Sequence, residues 1–103
     1  MHFEGVGVKR LLFGWYTTEA LTQLARDILE PIRAGSTNGE LLDTLECYLD
    51  TESSLTDTAA ALGIHRNTVT RRLRRIEELI GVSLHHPDER LALQLACRLW
   101  HRE

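Results

Sequence analysis

The sequence lacks long apolar runs and is poor in cysteine, and both shortages exclude classes of protein. No segment approaches the roughly 20 consecutive apolar residues that a membrane-spanning helix requires. Residues 1–5 do not begin the basic stretch and apolar run of a secretory signal. Only two of the 103 residues are cysteine, which excludes a disulfide-rich scaffold. We therefore expect a cytoplasmic protein with no membrane segment.

The cysteines and histidines do not form a metal motif. Cys47 and Cys97 both fall within apolar helical patterns, where a free cysteine is usually buried, and the cytoplasm disfavours a disulfide between them. They are not closely spaced with His65, His85 or His86, as the ligands of a structural zinc site would be. We expect His86 to cap the last helix instead. The sequence predicts two reduced thiols, no metal site and no cofactor.

Charge is distributed unevenly along the chain. The composition is globular, with 43% hydrophobic and 26% charged residues, and the formal net charge is −3. Residues 64–75 contain five arginines and no acidic residue, so the rest of the chain carries −8. A basic stripe confined to one segment is more informative about a nucleic-acid partner than the overall charge.

Apolar residues recur at helical spacing, and two helices are predicted in the N-terminal third. The inner face of the first consists of Val8, Leu11, Leu12 and Trp15. Thr17 and Thr18 cap the second, which Pro31 is expected to end. The inner face of the second consists of Leu21, Leu24, Ala25, Ile28 and Leu29. The polar stretch 34–39 then predicts a linker, which divides the chain into helices or a domain tail at 1–36 and a domain at 37–103.

Four further helices are predicted after the linker. Thr37 and Glu40 have the spacing of a capping box, and Ser54 is expected to cap the next helix. Gly81 is placed to end a longer helix, and Pro87 to begin the last one. The inner face predicted for the first of these helices consists of Leu41, Leu42, Leu45, Tyr48 and Leu49. For the third helix it consists of Val69, Leu73, Ile76 and Ile80. For the fourth it consists of Leu91, Ala92, Leu95 and Leu99.

Residues 55–73 have the pattern of a helix-turn-helix. Ala59 is small enough for two helices to cross closely, and Gly63 permits the positive φ that a tight turn needs. Ile64, Val69 and Leu73 are expected to bury the inner face of the second helix. Its outer face then consists of Arg66, Asn67, Thr70, Arg71 and Arg74.

This outer face is suited to DNA. A helix face that is only exposed to solvent usually has acidic residues interspersed among its basic ones. Here the acidic residues begin only at Glu77 and Glu78. Arginine suits guanine and phosphate, asparagine suits adenine, and threonine suits phosphate or a thymine methyl group. We expect the helix from Arg66 to enter the major groove, while Thr56 and the start of the preceding helix meet a phosphate.

The same region resembles a known family over roughly sixty residues. Residues 65–81, with 40–45 before them and 87–93 after them, are similar to the C-terminal helix-turn-helix of PucR/CdaR-type bacterial transcription regulators. The resemblance implies promoter binding through Arg66, Asn67 and Thr68, with Arg72 and Arg75 further along. Arg71 departs from the aromatic residue often found at its position. Residues 6–34 resemble the end of the preceding segment, which implies a larger protein whose effector-sensing domain is absent from this chain.

The sequence as a whole predicts an all-α bundle of five or six helices that binds double-stranded DNA. One such helix reads only a few base pairs, so we expect a homodimer or higher oligomer on repeated half-sites. The candidate DNA-binding residues are Thr56, His65, Arg66, Asn67, Thr68, Thr70, Arg71, Arg72, Arg74 and Arg75.

Other functions account for less of the sequence. A helical interaction module could bind an acidic protein through the same basic face, and this is the main alternative. A helix-turn-helix resembling Fis would share the short motif but leave residues 82–95 without explanation. No phosphate-binding glycine loop, nucleophile triad or apolar carboxylate pair supports an enzyme. We expect Trp15 and Trp100 to lie in the core or at an interface.

Overall fold

The computed structural model describes residues 19–36 and 38–101, with side chains from Thr22 to Trp100. Five helices follow one another: α1 Glu19–Ala34, α2 Glu40–Asp50, α3 Leu55–Leu62, α4 Arg66–Ile80 and α5 Pro87–His101. Within this part of the chain there is no β-strand, so the predicted all-α fold is confirmed. None of these five helices has the length and hydrophobicity that a transmembrane span requires. The helix predicted around Val8 and Trp15, and the Thr17 and Thr18 caps, lie outside the described residues.

One hydrophobic core joins all five helices. Helix α1 packs along α5 and also contacts α4, while α2 packs against α3 and α4. Burying each large aliphatic side chain contributes roughly 1.5–3 kcal/mol, so the packed interior stabilises the helices jointly. Helix α1, which precedes the predicted boundary at residue 36, therefore shares its core with the rest of the bundle. The fully buried aliphatic side chains are Leu29, Ile32, Leu45, Val69 and Ile76.

Several helix boundaries are confirmed. The buried face of α2 includes all five residues predicted for it. Helix α4 ends at Gly81, whose φ of 68° is left-handed, and α5 begins at Pro87. His86 stands in the cap position of α5, and its carbonyl accepts the N–H of Arg90 at 2.9 Å. These signals succeed because each depends on residues within about one helical turn.

The predicted end of α1 at Pro31 is wrong. Pro31 lies inside the helix, which continues to Ala34. Proline removes one helical hydrogen bond and costs on the order of 3 kcal/mol in a helix interior. Continuing the helix carries Ile32 into the core and lets the Pro31 carbonyl accept the N–H of Gly35 at 3.0 Å. The predicted inner face of α1 also errs at Leu24, which is 53% exposed.

The predicted capping box at the start of α2 is also wrong. The N-cap is Gly39, with φ 69° and no side-chain cap, and Glu40 is the first helical residue. The Glu40 carboxylate cannot act as a capping-box residue from that position, and it points instead toward Arg72, 3.4 Å away. Thr37 lies outside the described residues.

The inner face predicted for α5 is out of phase. Leu91 is 56% exposed and Ala92 is exposed, whereas Leu99 is buried as predicted. Apolar residues occupy most positions of this helix, so periodicity alone allows more than one buried face. Packing against α1 selects the face that buries Leu93, Ala96, Cys97 and Leu99.

Candidate nucleic-acid interface

Helix α3 is held in place by hydroxyl groups at its start. The Oγ of Ser54 accepts the N–H of Asp57 at 3.1 Å, which confirms the predicted cap. The Thr58 hydroxyl donates to the Ser54 carbonyl at 2.6 Å and lies 2.9 Å from the Thr51 hydroxyl. Thr58 is fully buried, so this network fixes the first turn of α3 against the end of α2. Thr56, in the same turn, is exposed.

The turn between α3 and α4 has the predicted geometry. Gly63 adopts φ 68° and ψ 36°, and the N–H of Ile64 donates to the Ala59 carbonyl at 3.1 Å. Ala59 is buried where α3 and α4 pack together, as the small-residue argument predicts. The connection therefore has the tight, glycine-containing form of the turn in a helix-turn-helix.

We expect Gly63→Val to destabilise the domain by about 1–3 kcal/mol. A β-carbon on Gly63 would meet no atom within 4 Å, so the cost comes from the left-handed backbone and not from a clash. Asparagine tolerates that backbone better than a β-branched residue, so Gly63→Asn should lose less stability. Chemical denaturation of both variants measures this difference. Equal stability of Gly63→Val and the parent chain would contradict the left-handed turn.

His65 fixes the start of α4. Its Nδ1 accepts the N–H of Asn67 at 2.9 Å, and its carbonyl accepts the N–H of Thr68 at 3.0 Å. The predicted N-cap is thus confirmed. The cap orders the first turn, which carries Arg66 and Asn67 on the surface.

Helix α4 has two distinct faces. Val69, Leu73 and Ile76 are buried toward the core. Asn67, Arg71 and Arg74 follow one another at i, i+4 and i+7, so they form a line along the opposite face. The exposed arginines are Arg66, Arg71, Arg74 and Arg75, and the salt bridges found among the described residues include none of them. Exposed Glu78 continues the line beyond Arg74, at the end of the helix away from His65. We call the exposed set Arg66, Asn67, Arg71, Arg74 and Arg75 the basic face.

Arg72 is placed differently from the other arginines of α4. Its guanidinium donates to the Thr44 hydroxyl at 3.2 Å and to the Glu40 carboxylate at 3.4 Å. Thr44 is fully buried, and its hydroxyl donates to the Glu40 carbonyl at 2.7 Å. Arg72 therefore joins α4 to α2. Sequence reasoning missed the roles of Thr44 and Glu40, although a polar residue between Leu41 and Leu45 on a buried face is a usable signal.

The remaining candidates lie at the margins of the basic face. Thr68 and Thr70 are half-buried on the flanks of α4. The structure thus places most of the residues predicted on α4 on or beside the basic face. Arg72 contacts α2 instead, and Thr56 is exposed on the neighbouring helix α3.

The two cysteines are free thiols. Burial raises the pKa of the Cys97 thiol to about 12, with the charges of Glu46 and Asp50 adding to the shift. Burial also raises the pKa of Cys47, which is only half-buried. Among the described residues, no group of three or more His, Cys, Asp or Glu side chains is arranged to hold a metal ion.

We expect Cys97 to resist alkylation at pH 8 in the folded protein. The thiolate is the reactive form, and a raised pKa keeps Cys97 protonated until the pH approaches that value. Cys47 should react first because it is less buried. Mass spectrometry after timed iodoacetamide treatment would show one adduct before two, and two adducts at once in denaturant. Rapid modification of Cys97 in the folded protein would contradict its burial, and a mass deficit of two protons without reductant would reveal a disulfide.

The geometry agrees with a comparison against protein families. Residues 41–99 match the model of the PucR C-terminal helix-turn-helix domain. The chain belongs to this family. The family assignment identifies α2–α5 as a helix-turn-helix DNA-binding domain of transcription regulators. No solved structure matches the chain significantly.

Curated relatives are transcription regulators. The chain is 48% identical over 59 residues to the purine catabolism regulatory protein of Bacillus subtilis, covering 57% of this chain and 11% of that protein. It is 38% identical over 85 residues to the carbohydrate diacid regulator of Escherichia coli, covering 82% of this chain and 21% of that protein. It is also 40% identical over 60 residues to the transcriptional activator PmfR of Paenarthrobacter nicotinovorans, covering 58% of this chain and 13% of that protein. The chain therefore spans only 11% to 21% of the length of these three regulators.

Proposed function

We propose that this domain binds double-stranded DNA by laying the first three turns of α4 in the major groove. The observation that carries the proposal is the basic face, whose four arginines make no salt bridge among the described residues. A face that only solvates the helix gains from internal ion pairs, whereas unpaired guanidinium groups are free to bind phosphates and base edges.

The dimensions of α4 fit this docking. Arg66 and Arg75 are nine residues apart, which is roughly 14 Å along a helix. The major groove is about 12 Å wide. Arg66 and Asn67, held by the His65 cap, are then positioned for base edges, with Thr68 and Thr70 beside them. Arg71, Arg74 and Arg75 lie toward the phosphates, and Arg72 supports them through its contacts with α2. Thr56, near the start of α3, is suited to a phosphate on the other side of the groove.

The larger context follows from the relatives. We propose that this chain is the DNA-binding part of a bacterial transcription regulator, acting in the cytoplasm without catalytic activity, and that sensing of an effector belongs to a region outside it. Two of the relatives are named as a purine catabolism regulatory protein and a carbohydrate diacid regulator. One α4 helix covers few base pairs, so we propose a homodimer or higher oligomer on repeated half-sites.

Salt dependence of duplex binding tests the proposal. Binding that neutralises about five phosphates should give a log–log slope near −4 to −5 for affinity against salt on a random duplex. Fluorescence anisotropy with a labelled duplex between 50 and 200 mM salt, roughly the range over which such contacts weaken, measures the slope. Arg98→Gln removes one positive charge from α5. This variant is the charge-matched control for a substitution that removes one arginine from the basic face. Absence of duplex binding at low salt, together with binding to an acidic peptide, would favour the acidic-partner alternative.

A further inference from the structure

A cleft opens beside the basic face, between α4 and the loop that joins α1 to α2. One wall carries the side chains of Arg71, Arg72 and Arg75, and the other is formed by Gly35, Ser36 and the start of α2. The cleft has a volume of about 390 Å³, which leaves ample space for a tetrahedral anion.

The charges around this cleft favour an anion. Three guanidinium groups face a single carboxylate, that of Glu40, so the net charge of the lining is +2. Glu40 lies 3.4 Å from Arg72. Arg71 and Arg75 have no acidic partner among the described residues, so two of the three cations remain available.

The cleft also contains two kinds of neutral hydrogen-bond donor that could bind an anion. The Ser36 hydroxyl oxygen is buried and has no hydrogen-bond partner among the described residues, which is uncommon for a buried polar atom. Helix α2 begins at Glu40, and its N-cap residue Gly39 provides no side-chain cap. The first N–H groups of a helix have no intrahelical partner, so here they also lack a capping side chain, and the positive end of the helix dipole lies at the cleft.

We propose that this cleft is a phosphate site, occupied by a backbone phosphate of the DNA that α4 reads. A phosphate oxygen accepts readily from guanidinium groups and from a hydroxyl. The choice of DNA as the source rests on the proposed function, whereas the preference for a phosphate rests on the cleft itself. The α1–α2 loop is then part of the DNA interface, and it fixes the orientation of α4 on the duplex.

The test introduces a negative charge into the cleft. Ser36→Asp places a carboxylate among the three arginines, and its affinity for a random duplex at low salt should fall about tenfold or more. Leu91→Asp adds the same charge on the exposed side of α5 and should change affinity less than twofold. Ser36→Ala, which removes only the unpartnered hydroxyl, should weaken binding a few-fold and keeps the proposal testable if Ser36→Asp does not fold. Amide NMR spectra of the full chain establish that each variant is folded.

A second arm titrates inorganic phosphate alone into the ¹⁵N-labelled chain. Phosphate should shift the amides of Gly35, Ser36 and Glu40 in the parent chain, and Ser36→Asp should abolish those shifts. If the parent chain binds duplex while Ser36→Asp behaves like Leu91→Asp and phosphate shifts none of these amides, the cleft proposal is overturned and the proposed function stands. If phosphate shifts them but no duplex binds, the phosphate site stands with a free phosphorylated compound as its source, and the proposed function fails.

Discussion

Val69→Asp is expected to unfold the domain. Val69 is fully buried where α4 packs on α3 and α2, so the substitution places an unpaired carboxylate in the core. Losses above about 4–5 kcal/mol are typical of this mechanism, and a domain of this size has a total stability of about 5–15 kcal/mol. Circular dichroism should show loss of helical signal at room temperature or a greatly lowered melting temperature.

The matched control adds the same carboxylate two residues away. Asn67 is exposed in the first turn of α4, where a negative charge also favours the helix dipole. Asn67→Asp should therefore keep the stability of the parent chain. If Val69→Asp kept its helical signal and melting temperature as well, the phase of α4 described above would be wrong.

Replacing Arg66 or Asn67 with alanine should reduce specific binding far more than random binding. Both residues are exposed in the first turn, which in docked helix-turn-helix proteins reaches the base edges. Each replacement should cost about 1–3 kcal/mol on the best duplex selected from a random pool and much less on random DNA. Mobility shifts on both duplexes at two salt concentrations measure this loss of specificity.

Alanine at Arg74 or Arg75 should give a different pattern. These residues lie about two turns further along α4, where the helix passes the DNA backbone. Each loss should weaken specific and random binding alike and reduce the magnitude of the salt slope by roughly one unit. The same uniform loss from Arg66→Ala and Arg75→Ala would contradict the proposed docking. If none of the four variants changed DNA binding, the basic face would be better explained as a binding site for an acidic protein partner.

The structure shows why some residues of α4 could be placed from the sequence and one could not. The exposure of Asn67, Arg71 and Arg74 follows from their helical spacing against the buried Val69. Arg72 lies on the flank of the helix, and periodicity does not show whether a flanking arginine faces solvent or a neighbouring helix. Its partner Thr44 is 28 residues away along the chain. No local pattern brings these two side chains together.

By itself, the sequence determined the helical class, the turn at Gly63, the caps at Ser54 and His65, and the basic face of α4. Each of these depends on contacts within about one helical turn, where residue type and spacing decide the outcome. Only the tertiary structure decided that α1 continues through Pro31, that α2 starts after Gly39, and which face of α5 is buried. It also decided that Arg72 meets α2 and that Ser36 lines a basic cleft. These outcomes depend on packing between helices far apart in the chain, where burial of side chains such as Ile32 outweighs local preference.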